Sequence, residues 1–224
     1  MTVIAPATSL RADLRARISA NWWLKFLGIT ALISIFFVAY FLLLRFPLFG
    51  VTVMPLTAVD RLIAFQPAAI GLYFSLWFYV SIPPALLRTR SEVYAYGWVS
   101  GAMAVFALLI FLFWPTSIPP TTGIDWSLHS GFATLKRVDA SQNACPSLHV
   151  AFAVFSGVWL DRILRQMRAG AAVRVVNAAW CIGIVYSTMA TRQHVAIDVA
   201  AGAALGLVFG MIRPAALRES ATRL

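Results

Sequence analysis

The sequence predicts an all-α membrane protein, built as a bundle of six transmembrane helices. Of its 224 residues, 61% are hydrophobic and only 12% are charged, whereas a soluble domain is usually about a quarter charged. The apolar residues cluster into long runs, and a helix needs roughly 20 such residues to span a bilayer. The length suits one domain of six spans, because no linker divides the chain.

The six predicted spans cover residues 26–44, 68–87, 93–114, 146–164, 171–191 and 194–212. They form a predicted catalytic membrane domain over residues 26–212, preceded by a cytoplasmic, interfacial segment over 1–25 and followed by a cytoplasmic tail over 213–224. Pro83 and Pro84 lie within the second span and should kink it, because proline donates no backbone hydrogen bond.

Two amphipathic helices are expected at the membrane surface. In the basic N-terminal segment 9–25, apolar residues recur every four positions, which is typical of a helix lying in the interface. In the long loop over 115–145, the stretch 125–136 also places apolar residues on one helical face. We therefore predict a short interfacial helix there, over the outer mouth of the bundle.

The orientation follows from arginine and lysine, which concentrate in cytoplasmic loops. With a cytoplasmic N-terminus, 13 of the 18 basic residues fall in inside segments: Arg11, Arg15, Arg17, Lys25, Arg88, Arg90, Arg162, Arg165, Arg168, Arg174, Arg213, Arg218 and Arg223. The outside segments hold the other five: Arg45, Arg61, Lys136, Arg137 and Arg192. Both termini are therefore predicted to be cytoplasmic, and such a chain fits a bacterial inner membrane with its active site facing the periplasm.

The net charge of +10 has the same origin. Because the basic residues flank the apolar spans and form no single patch, they do not predict nucleic-acid binding. The expected partner of the apolar spans is the bilayer.

Three glycines, Gly202, Gly206 and Gly210, repeat every four residues in the sixth span. Small residues at this spacing let helices pack closely, either within a bundle or across a dimer. We favour packing within the bundle, and the sequence leaves the oligomeric state open.

His149 and His194 carry the predicted chemistry. They begin the fourth and sixth spans, so the topology places both at the outer end of the bundle. Asp198 follows His194 by four residues, a spacing that places two side chains on one helical face. A carboxylate there can accept a proton from one imidazole nitrogen and leave the other as a nucleophile or base. Ionisable groups within a span are costly and usually functional.

The residues around His149 suit an anion. Pro146 fits the first turn of a helix, whose N–H groups point outward, and Ser147 adds a hydroxyl donor. A phosphate ester needs an in-line nucleophile, an acid for the leaving oxygen and donors for the other oxygens. We predict that His194 attacks phosphorus, that His149 protonates the leaving group, and that Ser147 binds the phosphate oxygens.

Two stretches resemble motifs of the type 2 phosphatidic acid phosphatase superfamily: Pro146-Ser147-Leu148-His149, and residues 191–198, which read Thr-Arg-Gln-His-Val-Ala-Ile-Asp. That family has six spans, a P-S-G-H motif and an S-R-x-x-x-x-x-H-x-x-x-D motif whose histidine is the nucleophile. The resemblance covers about residues 111–210 and implies a metal-free phosphohistidine mechanism without a cofactor. Leu148 in place of the motif glycine, with Asn143 shortly before it, resembles the inositol phosphorylceramide synthase-like branch, and both residues join the predicted substrate contacts.

The phosphate-binding cations of two motifs of that family have no counterpart here. The place of its K-x-x-x-x-x-x-R-P motif reads Trp-Pro-Thr-Ser-Ile-Pro-Pro over 114–120, and Thr188 stands where the family has an arginine. Arg192, Lys136 and Arg137 are the available substitutes. Arg192 is the best placed, because it lies two residues before His194.

Four functions are compatible with these residues. We rank hydrolysis of a lipid phosphate slightly ahead of transfer of a phosphoryl-headgroup to a lipid hydroxyl, such as that of ceramide or diacylglycerol. A transporter or channel is a remote third, because both histidines lie at one face and not mid-membrane. His149, His194 and Asp198 could also hold zinc, but the resemblance argues for a reaction without metal.

Overall fold

The computed structural model describes residues 10–121, 123–124, 126, 131–132 and 142–212. The elements in chain order are α1 (Leu10–Ser19), α2 (Trp22–Arg45), β1 (Thr52–Val53), α3 (Ala58–Leu62), a 3-10 turn (Pro67–Ala69), α4 (Ile70–Phe74), α5 (Leu76–Tyr79), α6 (Ile82–Leu86), α7 (Arg90–Phe113), β2 (Thr116–Ser117), α8 (Leu148–Gln166), α9 (Ala171–Ala190) and α10 (Ala196–Met211). The protein is therefore mostly helical, as predicted.

Helices cover each of the six predicted spans, with ends that differ by a few residues. Four helical segments are long and apolar enough to cross a membrane: Trp22–Arg45, Pro67–Leu86, Arg90–Phe113 and Ala171–Ala190. α8 and α10 are not among them. α10 has only 16 residues, and α8 carries the charged residues Asp161, Arg162 and Arg165 near its end. The chain is an integral membrane protein with four candidate spanning helices, and six spans stay a prediction.

The second span is broken beside its two prolines. α5 ends at Tyr79 and α6 begins at Ile82, because Pro83 and Pro84 offer no N–H to the carbonyls four residues earlier. A second break at Ser75 was not predicted. The Ser75 hydroxyl donates to the Leu72 carbonyl at 2.6 Å, so a side chain takes part in the hydrogen bonding at that break.

α8 lies at the centre of the bundle and packs against α10, α9 and α6. Its side chains Phe155 and Trp159 are buried in one apolar cluster together with Tyr79, Met103 and Ile184. A helix surrounded by protein does not need the continuous apolar surface of a lipid-facing helix. This position explains how α8 can carry three charged residues at one end.

The three glycines of α10 pack against α8. A β-carbon at Gly202 would collide with the backbone oxygen of Ser147, and one at Gly206 would collide with the backbone oxygen of Ala151. A β-carbon at Gly210 would lie 3.3 Å from the β-carbon of Val158. Packing within the bundle is thus confirmed, and it brings α10 against the first turn of α8.

α2 lies at the side of the bundle and runs parallel to α7. At one end, the Asn21 side chain donates to the Arg88 carbonyl at 3.1 Å. At the other end, β1 pairs in parallel with β2, with Thr52 opposite Thr116. Hydrogen bonds therefore connect both ends of α2 to the segments that flank α7. One face of α2 lines a cavity that also contacts α4–α6 and α7.

Two buried cations attach α1 to the bundle. The Arg17 guanidinium donates to the Leu86 carbonyl at 3.3 Å. The Lys25 amine donates to the Arg17 carbonyl at 2.6 Å and to the Ala85 carbonyl at 2.8 Å. Ile18 remains 52% exposed, so an apolar surface of α1 is available to a membrane, and the interfacial position of α1 stays a prediction.

The interfacial helix predicted for 125–136 falls mostly outside the described residues, as do Lys136 and Arg137. Phe132 is described and is 1% exposed. Its ring lies 5.4 Å from the rings of Phe65 and Trp126, measured between centroids. This part of the outer loop therefore packs against the segment that precedes α4.

Candidate active site

His149 lies in the first turn of α8, which begins at Leu148 with Ser147 as its N-cap. The Ser147 hydroxyl oxygen accepts a hydrogen bond from the Val150 N–H at 3.3 Å. The expectation that Pro146 belongs to the first turn was wrong. Serine caps a helix well because its oxygen satisfies an N–H that has no partner within the helix, so α8 begins after Ser147.

Ser147 joins the two helices of the site. It is completely buried, and its N–H donates to the Asp198 carbonyl at 3.0 Å. Gly202 allows this approach, because a side chain there would collide with the Ser147 carbonyl. The capping bond uses the hydroxyl as an acceptor and leaves its hydrogen for another partner.

Asp198 lies beside His194 and also caps α10. α10 has Val195 as its N-cap, so His194 lies just before the helix. The sequence had suggested instead that His194 begins it. One carboxylate oxygen, Oδ2, accepts from the Val195 N–H at 3.1 Å and lies 3.6 Å from His194 Nδ1. That separation is longer than a hydrogen bond. A capping turn, and not a shared helical face, brings the two side chains together.

Thr188 holds the backbone of His194. The Thr188 carbonyl accepts from the N–H groups of Gln193 at 3.0 Å and His194 at 3.1 Å. Its hydroxyl donates to the Val185 carbonyl at 2.7 Å. Thr188 stands at the position where the resembled motif has an arginine, and here its carbonyl positions the backbone of His194, the nucleophile candidate, just after the end of α9.

A cavity of about 740 Å³ has His149 and His194 at one end, which we call the histidine end. The Tyr73 ring stacks on the His149 imidazole with centroids 3.9 Å apart and planes 15° apart. A hydrogen bond also joins His149 to the Tyr73 backbone. Tyr73 therefore fixes the orientation of His149, a role that the sequence did not predict.

Several buried polar atoms around the histidine end lack a hydrogen-bond partner among the described residues. They are His149 Nε2, His194 Nδ1, Asp198 Oδ1 and Asn143 Nδ2. Buried polar atoms without partners are rare, because each costs the free energy of its lost hydration. Their concentration here indicates a site for a polar ligand.

Asn143 belongs to the histidine end and is 5% exposed. Its backbone φ of 53° is left-handed, a conformation that asparagine tolerates better than most residues. The next residues are tied to β2, because the Cys145 N–H donates to the Thr116 hydroxyl at 2.8 Å. Thr116 lies where the family has its first cationic motif, and here that segment positions Asn143 and Ser147.

Arg192 is directed toward the first outer loop. Its guanidinium donates to the carbonyls of Asp60 at 3.0 Å and Ile63 at 2.8 Å. The Asp60 carboxylate accepts from the Thr57 N–H at 2.7 Å and from the Ala196 N–H, at the start of α10, at 2.8 Å. We call these contacts the α3–α10 clamp. Sequence reasoning missed Asp60, although the Thr57-x-x-Asp60 spacing is typical of a capping box.

The cations of the site are sparse. Among the described residues that line the cavity, Lys25 is the only lysine or arginine, and it lies at the end opposite the histidines. The N–H groups of Leu148 and His149 precede the intrahelical hydrogen bonds of α8. These amides and the Asn143 side chain are the described donors best placed to bind an anion at the histidine end.

Comparison with known proteins identifies the family of this chain. The family model of the PAP2 superfamily matches residues 63–212, a region that contains His149, His194 and Asp198. The chain belongs to this superfamily, the type 2 phosphatidic acid phosphatases, and is a lipid enzyme of phosphatase or phosphotransferase type. No curated protein and no solved structure gives a significant match.

Proposed function

We propose that this protein is a lipid-phosphate phosphatase that forms a phosphohistidine on His194. One observation carries the proposal: two imidazoles share one end of a cavity, and a fully buried carboxylate lies 3.6 Å from one of them. A carboxylate in this place stabilises the positive charge that develops on an attacking imidazole. The remaining imidazole is then available as the acid and base.

The reaction follows from these positions. Asp198 faces Nδ1 of His194, so Nε2 is the nitrogen that attacks phosphorus while the bond to the lipid oxygen breaks. His149 gives its proton to that leaving oxygen. His149 then removes a proton from water, the water oxygen attacks the phosphohistidine, and the nitrogen–phosphorus bond breaks to release inorganic phosphate.

The first turn of α8 binds the phosphate in this proposal. Its free amides and the Asn143 side chain donate to the equatorial oxygens, and the helix N-terminus contributes positive potential. Ser147 and Leu148 complete this turn. Lys136 and Arg137 remain predicted contacts from the outer loop. The contacts of Arg192 favour a positioning role over direct binding of phosphate.

The proposed topology places the histidine end at the outer, periplasmic face of a bacterial inner membrane. It combines six spans over residues 26–212 with a cytoplasmic segment over 1–25 and a cytoplasmic tail over 213–224. The distribution of basic residues supports this orientation. The substrate then enters from the outer leaflet.

Transfer to a lipid hydroxyl is the second candidate. The side chain of Leu148 lines the cavity beside His149, at a position where the family motif has glycine. An apolar side chain there favours a lipid acceptor over water, since it excludes water from the phosphohistidine. The phosphohistidine is common to both reactions, and only the acceptor differs.

The experiment that distinguishes hydrolysis from transfer identifies the product that contains the phosphorus of the substrate. The protein is purified in detergent and given a panel of phospholipids and lipid phosphates, with ceramide and diacylglycerol present. Free phosphate that disappears in the His194→Ala variant supports the phosphatase, and phosphorus in a new lipid supports the transferase. The Asp161→Asn variant is the matched control, because Asp161 pairs with Arg165 and Arg174 far from the histidines. Full activity of His194→Ala would refute the covalent mechanism.

A further inference from the structure

We propose that the cavity selects lipid substrates by the length of one hydrocarbon chain, and that Gly28 and Gly97 form the end of the cavity farthest from the histidines. Both glycines line the cavity away from the histidines. The inference rests on the proposed function only in placing the phosphate at the histidine end. One long hydrocarbon chain of the lipid lies along α2, and the length of that chain determines the kcat/KM for the lipid.

The cavity is long enough to pass the middle of a bilayer. Along α2 its wall runs from Leu24 to Phe41, which corresponds to about 26 Å at 1.5 Å per residue. The hydrocarbon core of a bilayer is roughly 30 Å thick. A chain that starts at the histidine end and fills this length therefore crosses into the opposite leaflet.

The walls suit a hydrocarbon chain. The side chains from α2 that line the cavity are mainly apolar or aromatic, including Phe36, Phe37 and Phe41, and Leu76 and Trp77 face them from α5. Ile33 and Trp77 line the cavity and are still 40% and 50% exposed. A chain can therefore slide in sideways from the membrane while its phosphate stays at the outer surface.

Two glycines leave room at the far end. A β-carbon at Gly28 or at Gly97 would meet nothing within 4 Å. One turn nearer the histidines, Leu32 lines the cavity and Gly101 does not, and a β-carbon at Gly101 would lie in ordinary contact with Leu32 Cδ1, at 3.6 Å. Residues four apart share a helical face, so α2 and α7 leave more room for a chain at Gly28 and Gly97 than one turn nearer the histidines, where Leu32 lines the same cavity.

Lys25 ends the apolar space beyond the glycines. Its amine is held by the carbonyls of Arg17 and Ala85. A hydrocarbon chain gains free energy by leaving water for an apolar wall, and it gains none next to a hydrogen-bonded ammonium group. The favourable length of the chain therefore ends near Gly28 and Gly97.

The proposal is tested with variants that shorten the cavity. The Gly28→Leu and Gly97→Leu variants are assayed with octyl, dodecyl and hexadecyl phosphate, and the ratio of kcat/KM for hexadecyl to that for octyl phosphate is compared with the unmodified protein. We expect the ratio to fall about tenfold, since loss of a few methylene contacts in an apolar pocket has this size of effect. Gly71→Leu is the control, because Gly71 is exposed, has open space around it and does not line the cavity. An unchanged ratio in both variants would overturn the proposal.

A second measurement does not depend on turnover. Hexadecyl phosphate with a diazirine at the chain end is photolysed with the His194→Ala variant, and the labelled peptides are identified by mass spectrometry. Labelling within residues 24–28 and 94–98 is expected, and labelling confined to other stretches contradicts the proposal. If these two stretches are labelled but the unmodified protein has no phosphatase or transferase activity, the proposed function is refuted and the proposed binding site for the hydrocarbon chain stands.

Discussion

At the scale of single residues, Asp198 links folding and chemistry. The same carboxylate oxygen caps the first turn of α10 and faces His194 Nδ1, while its other oxygen has no partner among the described residues. Burying a carboxylate is costly unless hydrogen bonds and charges compensate it. In the proposed mechanism the adjacent His194 becomes positively charged, and that charge compensates the buried carboxylate.

Asp198→Asn should separate these two roles. The amide oxygen can still accept from the Val195 N–H, so the helix cap is retained, but the negative charge is lost. We expect kcat to fall by at least about a hundredfold with little change in KM, because the charge acts mainly in the transition state. Steady-state kinetics and the yield of acid-quenched phosphoenzyme measure the effect. An unchanged kcat would show that His194 works without this carboxylate.

At the scale of elements, the contact between α8 and α10 decides the geometry of the site. Gly202→Ala and Gly206→Ala should each destabilise the protein by about 1–3 kcal/mol, the usual cost of overpacking. Gly210→Ala should cost less, because its nearest neighbour is the Val158 side chain at 3.3 Å and not a backbone oxygen. Thermal unfolding in detergent gives the order.

Gly71→Ala is the control for this series, since its β-carbon would meet nothing within 4 Å. It should be neutral or slightly stabilising, because alanine favours helix over glycine. Gly202→Ala should also lose activity, since it moves Ser147 and the first turn of α8. Equal stability of all four variants would contradict close packing of α10 on α8.

The α3–α10 clamp is the second element-scale feature, and Arg192→Gln tests it. The variant leaves the carbonyls of Asp60 and Ile63 without their strongest donor, so the turn that carries His194 should loosen. We expect kcat to fall about tenfold and the melting temperature to drop, while the inhibition constant of inorganic phosphate stays the same. A weaker affinity for phosphate would instead support the direct contact predicted from the sequence. Arg192→Lys should restore only part of kcat, because lysine cannot reproduce the two-pronged geometry.

At the scale of the whole molecule, the topology depends on α8, which is long enough to span a bilayer but lacks the apolarity of a typical lipid-facing span. Cysteines placed at Thr121 and Gly170 lie on either side of it in the sequence. A membrane-impermeant maleimide should label Thr121→Cys on intact cells and Gly170→Cys only after permeabilisation. Labelling of both positions from one side would mean that α8 does not cross, and the reverse pattern would invert the proposed orientation.

The native Cys145, which lies just before α8, should give little background in that experiment. Burial, with a smaller contribution from the nearby Asp198 charge, raises the pKa of the Cys145 thiol to about 11. Maleimides react with the thiolate, so Cys145 stays unreactive at neutral pH and labelling should rise as the pH approaches that pKa. Labelling of the unmodified protein across pH 7 to 10 checks this expectation.

Much of this protein could be predicted because the signals are local. Apolar runs indicated the helical segments that cover the six predicted spans, and Pro83 and Pro84 marked the break between α5 and α6. The spacing of Gly202, Gly206 and Gly210 indicated a packing face. Helix ends were less accurate: α8 begins after Ser147 and α10 after Val195, because capping depends on backbone detail that hydropathy does not reveal.

By itself, the sequence determined the class of protein, the helical segments and the pairing of His149 with His194, since composition, periodicity and short motifs involve neighbouring residues. Only the tertiary structure decided what supports the histidines. Three contacts join distant parts of the chain: the stacking of Tyr73 on His149, the hydrogen bond from the Cys145 N–H to the Thr116 hydroxyl, and the hydrogen bond from the Ala196 N–H to Asp60, 136 positions away. Such contacts depend on how helices and loops pack, and no local pattern encodes them.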